Sequence, residues 1–331
     1  MRTETEWQHG RIEALRDLSP TVREFSLRPL GGTVPWTVGS HLRVQLSIDG
    51  REALRSYSLV GLPSDSRATG VYRIAVKRVN PSRGGSRHMW RLGVGAEVML
   101  AGPDNHFVLP LQAPFTLLVA GGIGITPMLG MALTLAARAA PVRMLYAART
   151  PTELIYAERL RSALGDRLAT FTDSEGQRID LQSELAALPQ DAQMLVCGPA
   201  PLLQAAQQAW TQAARPAAAL RFETFGSGGL KGAEPFWVQV AGLGARRIEV
   251  PADRSLLQVL AEHGVEAMAD CERGECGLCA LDVLSLEGEI DHRDVFLSPE
   301  QKAANQRLCA CVSRVRGGGV RVDTGYRRDP L

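Results

Sequence analysis

Cys271-Glu-Arg-Gly-Glu-Cys276-Gly-Leu-Cys279 sets three thiols at C-x4-C-x2-C spacing, with Cys309 and Cys311 downstream. That spacing suits a plant-type [2Fe–2S] centre, where several thiolates must converge from one tight loop. Gly274 and Gly277 let the backbone fold close and aim amide N–H groups at the sulfurs. Structural zinc usually takes two C-x2-C pairs, and here the second pair is missing. Counting alone favours Cys309 as the fourth ligand, since 29 residues separate it from Cys279. Cys311 also remains open. The sixth cysteine, Cys197, stands apart from this group.

Four other segments have chemistry to offer. Arg55-Ser-Tyr-Ser-Leu59 supplies a cation, two hydroxyls and a ring within one extended stretch. Period two puts Arg55, Tyr57 and Leu59 on one face and Ser56 and Ser58 on the other. An isoalloxazine needs such a flat wall and hydrogen bonds at N5 and its carbonyls; the plainer reading is an ordinary strand. In Arg83-Gly-Gly-Ser-Arg87, Gly84, Gly85 and Ser86 could hold a phosphate, or could simply turn the chain. Gly121-Gly-Ile-Gly-Ile-Thr-Pro-Met128 follows an apolar strand and opens a helix. Gly121, Gly122 and Gly124 let a pyrophosphate approach the helix N-terminus, and Pro127 suits a first turn. This differs from the Rossmann fingerprint. Cys197-Gly198-Pro199 ends another strand at the same sheet edge, where open α/β sheets bind ligands. A buried core thiol is the alternative for Cys197.

The elements that must position these groups change character along the chain. Up to about residue 108, period-two strands such as Val22–Leu27, His41–Ile48 and Gly70–Lys77 alternate with glycine turns, which predicts a small antiparallel barrel. From about 110 to 225, strands at 115–120, 142–147 and 193–197 alternate with helical stretches at 128–135, 153–164 and 201–214. That alternation predicts a parallel sheet. A Gly/Ser/Pro stretch at 226–235 has linker composition. Beyond it, Phe236–Val240 and Arg247–Val250 read as a hairpin and Arg254–His263 as a helix, before the cysteine loop.

The whole chain has 331 residues, 45% hydrophobic and 22% charged, enough for two or three packed domains. A net charge of +2 and 5% aromatics give no reason to expect nucleic acid. The charged start has no apolar signal-peptide core. The uncharged run 112–137 is broken by glycines and Pro127 into strand, turn and helix, which argues against a membrane span. A cytoplasmic location is expected. Between Glu262 and Glu300, eleven acidic residues face only Arg273 and Arg293, a local net of −9. This is either a solvated face or a patch that docks on a basic surface.

Taken together and in order, these motifs and Glu223-Thr-Phe225 resemble the phthalate dioxygenase reductase family of the ferredoxin–NADP reductase superfamily, over almost the whole chain. The resemblance implies an FMN-binding antiparallel β-barrel over 1–108 and an NAD(H)-binding α/β parallel-sheet domain over 109–225. After the linker at 226–235 it implies an α+β β-grasp ferredoxin domain over 236–331. It implies FMN rather than FAD, NADH as donor, and the [2Fe–2S] cluster. Arg55, Ser58 and Phe225 would act at the flavin: Arg55 favouring its reduced anion, Ser58 bonding near N5, Phe225 packing where the nicotinamide enters. Further cofactor contacts would come from Ser56, Tyr57, Ala75, Val76, Lys77, Gly84, Gly85, Ser86 and Thr126. The nucleotide side would use Gly121, Gly122, Gly124, Arg149, Asp173, Cys197, Gly198 and Pro199. Cys311-Val-Ser-Arg314 resembles the way the fourth ligand is followed in related reductases, so the implied set is Cys271, Cys276, Cys279 and Cys311. Cys309 would be a small buried neighbour. The implied partner is a Rieske-type oxygenase that hydroxylates aromatic rings or removes O- or N-alkyl groups.

Two rivals make different demands. A redox sensor carrying the same cluster would not oxidise NADH with an artificial acceptor. A self-sufficient oxygenase would need a Rieske or mononuclear-iron domain for which the chain has no room.

Overall fold

The computed structural model describes residues 6–48, 50–80, 84–225 and 233–325, so Arg83 and residues 226–232 of the expected linker lie outside the described residues. The chain divides into two compact units, Met1–Glu223 and Thr224–Leu331.

The first unit begins with β1 (Trp7–Ser19), β2 (Val22–Pro29), β3 (His41–Ile48), β4 (Arg51–Ser58), β5 (Tyr72–Lys77) and β6 (Glu97–Asp104). They form one antiparallel sheet in the order β4-β3-β6-β1-β2-β5. Its two edges meet where Leu59 bridges Ile74 and the Val60 amide donates to the Arg73 carbonyl at 2.9 Å, which closes the barrel. Alternation along the strands turns Phe25, Leu27, Leu42, Val44, Leu46, Tyr72 and Ile74 into a common core. Two short helices, α1 (Pro63–Thr69) and α2 (Gly85–Arg91), are inserted between strands.

The same unit continues with β7 (Thr116–Gly121), α3 (Ile125–Ala137), β8 (Val142–Ala148), α4 (Ala157–Leu164), β9 (Leu168–Thr172), α5 (Leu181–Ala186), β10 (Gln193–Cys197), α6 (Ala200–Gln212) and β11 (Leu220–Glu223). The five strands are parallel, in the order β11-β10-β7-β8-β9. Every residue of β7 is buried, as expected of a central strand covered on both faces. The chain leaves β7 in one direction for β8 and β9 and returns on its other side as β10. The switch point therefore lies between β7 and β10.

The expected helix at 153–164 is shorter in the structure and starts at Ala157. Tyr156, at φ 61°, turns the chain just before it, and its hydroxyl donates to Glu24 Oε2 on β2 at 2.7 Å. This tertiary bond interrupts a stretch whose local pattern is helical. It belongs to a seam between barrel and parallel sheet. Glu153 accepts from Thr21 Oγ1 at 3.0 Å and Lys77 Nζ at 3.3 Å, and Arg159 Nη2 donates to Asp65 Oδ2 at 3.2 Å.

The second unit contains β12 (Phe236–Val240), β13 (Ile248–Val250), α7 (Leu256–Glu262), β14 (Ala280–Asp291), α8 (Pro299–Ala304), β15 (Arg307–Cys309) and β16 (Arg314–Asp323). The sheet order is β13-β12-β16-β14-β15, with only β12 and β16 parallel, a β-grasp. Ser255 and Gln258 form a reciprocal capping box that starts α7. Leu256, Val259 and Leu260 of that helix share the core with Val238, Val250, Val320 and Val322. Among the described residues, no helix is long and apolar enough to cross a membrane.

Candidate functional site

The end of β7 and the end of β10 approach each other at the switch point. A Cβ on Gly124 would stand 2.1 Å from the Cys197 carbonyl oxygen, and one on Gly121 would meet Pro199 Cδ at 2.7 Å. These glycines, and Gly198 beside Gly121, are therefore required by the close packing of the two loops. Gly122, at φ 54°, is different. Its missing Cβ faces only Lys77 Nζ, at 4.0 Å. Thr126 is buried and its hydroxyl donates to the Ile123 carbonyl at 3.0 Å, which tightens the entry into α3. Farther along the same edge, the ends of β8 and β9 are tied by the Ser174 amide donating to the Arg149 carbonyl at 2.9 Å. Arg149 and Asp173 are both exposed there, and Asp173 pairs with Arg178.

Ser58 ends β4, and its hydroxyl donates to Glu223 Oε2 at 3.2 Å, across 165 positions of sequence. Both residues are buried. Glu223 closes β11 and pairs in register with Cys197 of β10. One hydroxyl–carboxylate pair thus joins the barrel strand to the carboxyl edge of the parallel sheet. Sequence reasoning quoted Glu223 only as part of a motif and gave it no role. Only the long-range fold reveals it, because nothing near Ser58 in the sequence points to residue 223.

Arg55, Ser56 and Tyr57 precede Ser58 on β4. Ser58 faces His41 and Ser56 faces Arg43 across the β3–β4 pair. Arg55 lies against the start of α2, where a Cβ on Gly85 would meet its Nε at 2.5 Å. This puts a guanidinium beside Gly84, Gly85 and Ser86. Ser86 Oγ also accepts the Val79 amide at 3.3 Å. Burial pushes the Tyr57 phenol well above its ordinary range, against the opposing pull of the Arg55 charge, so Tyr57 stays neutral. Ala75 and Val76 are buried on β5, while Lys77 is engaged with Glu153. Phe225 lies at the start of the second unit and is part-exposed.

In the second unit the cysteine loop folds as a cradle. Cys271 Sγ accepts amide hydrogens from Arg273, Glu275 and Cys276, each at 3.4 Å. Cys279 Sγ lies 3.1 Å from Cys311 Sγ. Cys279 and Cys311 thus stand as one neighbouring sulfur pair, as two thiolates on one metal of a dinuclear iron centre would. Gly277 sits at φ 74° with the Phe296 ring 2.2 Å from where a Cβ would be. Asp294 is buried behind the loop and accepts the Leu297 amide at 2.9 Å and the Ser313 hydroxyl at 3.1 Å. Glu275 accepts the Thr224 hydroxyl at 3.0 Å. These two carboxylates of the acidic segment therefore build the loop, whereas Glu262, Glu266, Asp270, Glu272, Asp282, Glu287 and Glu289 are exposed. Sulfur donors, a close-packed backbone and converging amides all fit an iron–sulfur cluster.

Comparisons agree with this division of labour. A family model described as an oxidoreductase FAD-binding domain matches residues 10–109, an oxidoreductase NAD-binding domain matches 118–208, and a 2Fe-2S iron-sulfur cluster binding domain matches 239–316. The chain is 37% identical over 320 residues to the heme-dependent oxidative N-demethylase beta subunit of Ectopseudomonas mendocina, covering 95% of this chain and 97% of that protein. The solved structure of phthalate dioxygenase reductase matches with a TM-score of 0.76 at 30% identity, covering 96% of this chain and 98% of that one. An intact type IV self-sufficient cytochrome P450 monooxygenase matches with a TM-score of 0.67 at 33% identity; 96% of this chain is covered, and it spans 41% of that chain.

Proposed function

The chain belongs to the phthalate dioxygenase reductase family, and from that premise we propose that it delivers electrons from NADH to a Rieske-type terminal oxygenase in the cytoplasm. It is an oxidoreductase and the reductase component of an oxygenase system, with FMN, NADH and a [2Fe–2S] cluster as cofactors. The cofactors supply hydride and single-electron chemistry; the protein supplies position and electrostatics. The observation that carries the proposal is the Ser58–Glu223 pair, which brings the flavin strand to the edge where the glycine loop ends.

In this reading each side chain has a defined task. Arg55, beside Gly85 and Ser86, holds the flavin phosphate end and favours negative charge on the reduced ring. Ser58 presents its hydroxyl near N5, held in orientation by Glu223. Gly122 leaves backbone space for the nucleotide, with Lys77 alongside. Arg149 and Asp173, at the ends of β8 and β9, meet the adenosine half. Cys271, Cys276, Cys279 and Cys311 hold the cluster, with the Cys271 amides steadying one sulfur. The exposed carboxylates of the second unit suit docking on a basic partner surface, with Glu262, Asp282 and Glu287 already paired to Arg254, Arg307 and Arg247.

The test is an anaerobic titration with NADH after FMN, iron and sulfide are quantified. Loss of flavin and cluster absorbance at about three electrons per chain, two on flavin and one on the cluster, is expected. Flavin and iron that ignore NADH would reject the proposal. A second reading, that the terminal oxygenase is haem-dependent, is favoured by the likeness to the haem-dependent N-demethylase subunit and to the P450 chain. Reconstitution with one component of each type decides between them: only the true partner class should couple NADH oxidation to product.

A further inference from the structure

We propose that Glu153 is a positioning residue for nucleotide binding: it holds the Lys77 ammonium beside Gly122, where the diphosphate of NADH passes the glycine loop. This rests on the NADH-dependent reading above and adds a residue that the nucleotide contacts given there do not include.

Lys77 is the last residue of β5 in the barrel, and Gly122 directly follows β7 in the parallel sheet. Apart from its chain neighbours, a Cβ on Gly122 would find only Lys77 Nζ, at 4.0 Å, so that side of the loop is otherwise open. A lysine side chain loses much rotamer freedom when it is held in one place, so a cation fixed at this spot needs an anchor.

Glu153 is that anchor. Its Oε1 accepts from Lys77 Nζ at 3.3 Å and from Thr21 Oγ1 at 3.0 Å. Thr21 lies in the turn between β1 and β2, so the carboxylate is fastened to the barrel at two separate points. Its other oxygen, Oε2, is buried and has no hydrogen-bond partner among the described residues, so Thr21 and Lys77 share the one oxygen that is engaged. The backbone of Glu153 is fastened to the sheet instead. The Tyr146 hydroxyl on β8 donates to the Glu153 carbonyl at 3.3 Å and to the Gly122 carbonyl at 3.4 Å. One phenol thus ties the residue that holds Lys77 to the glycine that faces it. The Lys77 and Glu153 side chains keep 23% and 13% of their surface exposed, so bulk salt screens the pair only in part. An ammonium has three N–H donors; the bond to Glu153 takes one and leaves donors for a phosphate oxygen. Repulsion between the carboxylate and the diphosphate acts in the opposite sense, and the experiment separates the two by sign.

The test uses the full-length holoprotein and two hydride donors, NADH and a neutral N-benzyl dihydronicotinamide that carries the ring without the phosphates. Anaerobic rapid mixing gives the second-order rate constant of flavin reduction by each. In Glu153→Gln the NADH constant divided by the neutral-donor constant should fall about fivefold, through a higher apparent Kd for NADH rather than a slower limiting rate. In Lys77→Met the ratio should fall at least as far. Adding Glu153→Gln to Lys77→Met should change it by less than about twofold, because Glu153 acts through Lys77. Thr21→Val keeps both charges and should shift the ratio the same way by a smaller factor; it carries the test if Glu153→Gln loses flavin. An unchanged ratio overturns the proposal, including the case in which both constants fall together and Glu153 only supports the fold. A rise overturns it too, since repulsion would then dominate. So does a fall that persists in full on the Lys77→Met background. Wild-type flavin reduced by the neutral donor but not by NADH would instead reject the reading on which the proposal rests.

Discussion

At the scale of single residues, the Ser58–Glu223 bond joins the end of β4 to the carboxyl edge of the parallel sheet. Ser58→Ala removes the hydroxyl and leaves Glu223 buried with one donor fewer. Flavin reduction by NADH in a single turnover should slow about tenfold, the equivalent of one lost hydrogen bond of about 1.4 kcal/mol. NADH affinity should change less than threefold, because the proposed role of Ser58 is toward the flavin and not the nucleotide. Rapid-mixing absorbance at the flavin band measures both. An equal loss in rate and affinity would show that Ser58 only supports the fold. Glu223→Gln keeps an acceptor and should fall between wild type and Ser58→Ala.

At the scale of elements, the cluster loop depends on backbone that only glycine adopts easily. Gly277 combines φ 74° with an aromatic ring in the space of its Cβ. Gly277→Ala should therefore push Phe296 and the loop apart and lower iron content to well under two per chain. Flavin content should remain near wild type, since the flavin strands fold in the other unit. Iron and flavin assays on the same sample provide the check. Full iron occupancy would mean that Phe296 moves aside without cost.

At the scale of the molecule, the first unit is held together by the polar seam at 153, 156 and 159. Burial tends to raise the Glu153 carboxyl, but the Lys77 charge and the hydrogen bonds from Thr21 and Lys77 outweigh it, so its pKa lies below the ordinary 4.5. A depressed carboxylate stabilises the fold above its unfolded pKa, and the effect fades as pH falls through the folded value. The thermal midpoint should therefore drop as pH falls below about 4.5. Glu153→Gln should lose about 1 kcal/mol at neutral pH and show a flatter acid limb. Calorimetry from pH 3 to pH 7 tests this, and an equally steep limb in the variant would place the acid transition elsewhere.

Much of this protein was legible in its sequence because the signals are local. A C-x4-C-x2-C run states its chemistry in nine residues. Period-two strands such as His41–Ile48, and strand–glycine–helix stretches such as 116–137, follow from side-chain alternation and backbone freedom. The 13-residue β1 was not foreseen because charged residues interrupt its apolar face, and β9 is too short and polar to stand out. The break before α4 was hidden because a bond from Tyr156 to β2 overrides local helical preference. Only tertiary structure could find Glu223 beside Ser58, or show that the Cys197 carbonyl stands where a Cβ on Gly124 would be. Spacing left Cys309 and Cys311 both open, and the resemblance pointed to Cys311. The fold adds that Cys311 stands beside Cys279 in a turn closed by the Cys309 carbonyl. Sequence specifies which groups are present and how they repeat; which distant groups touch depends on the pairing of strands, and that is decided only when the whole chain packs.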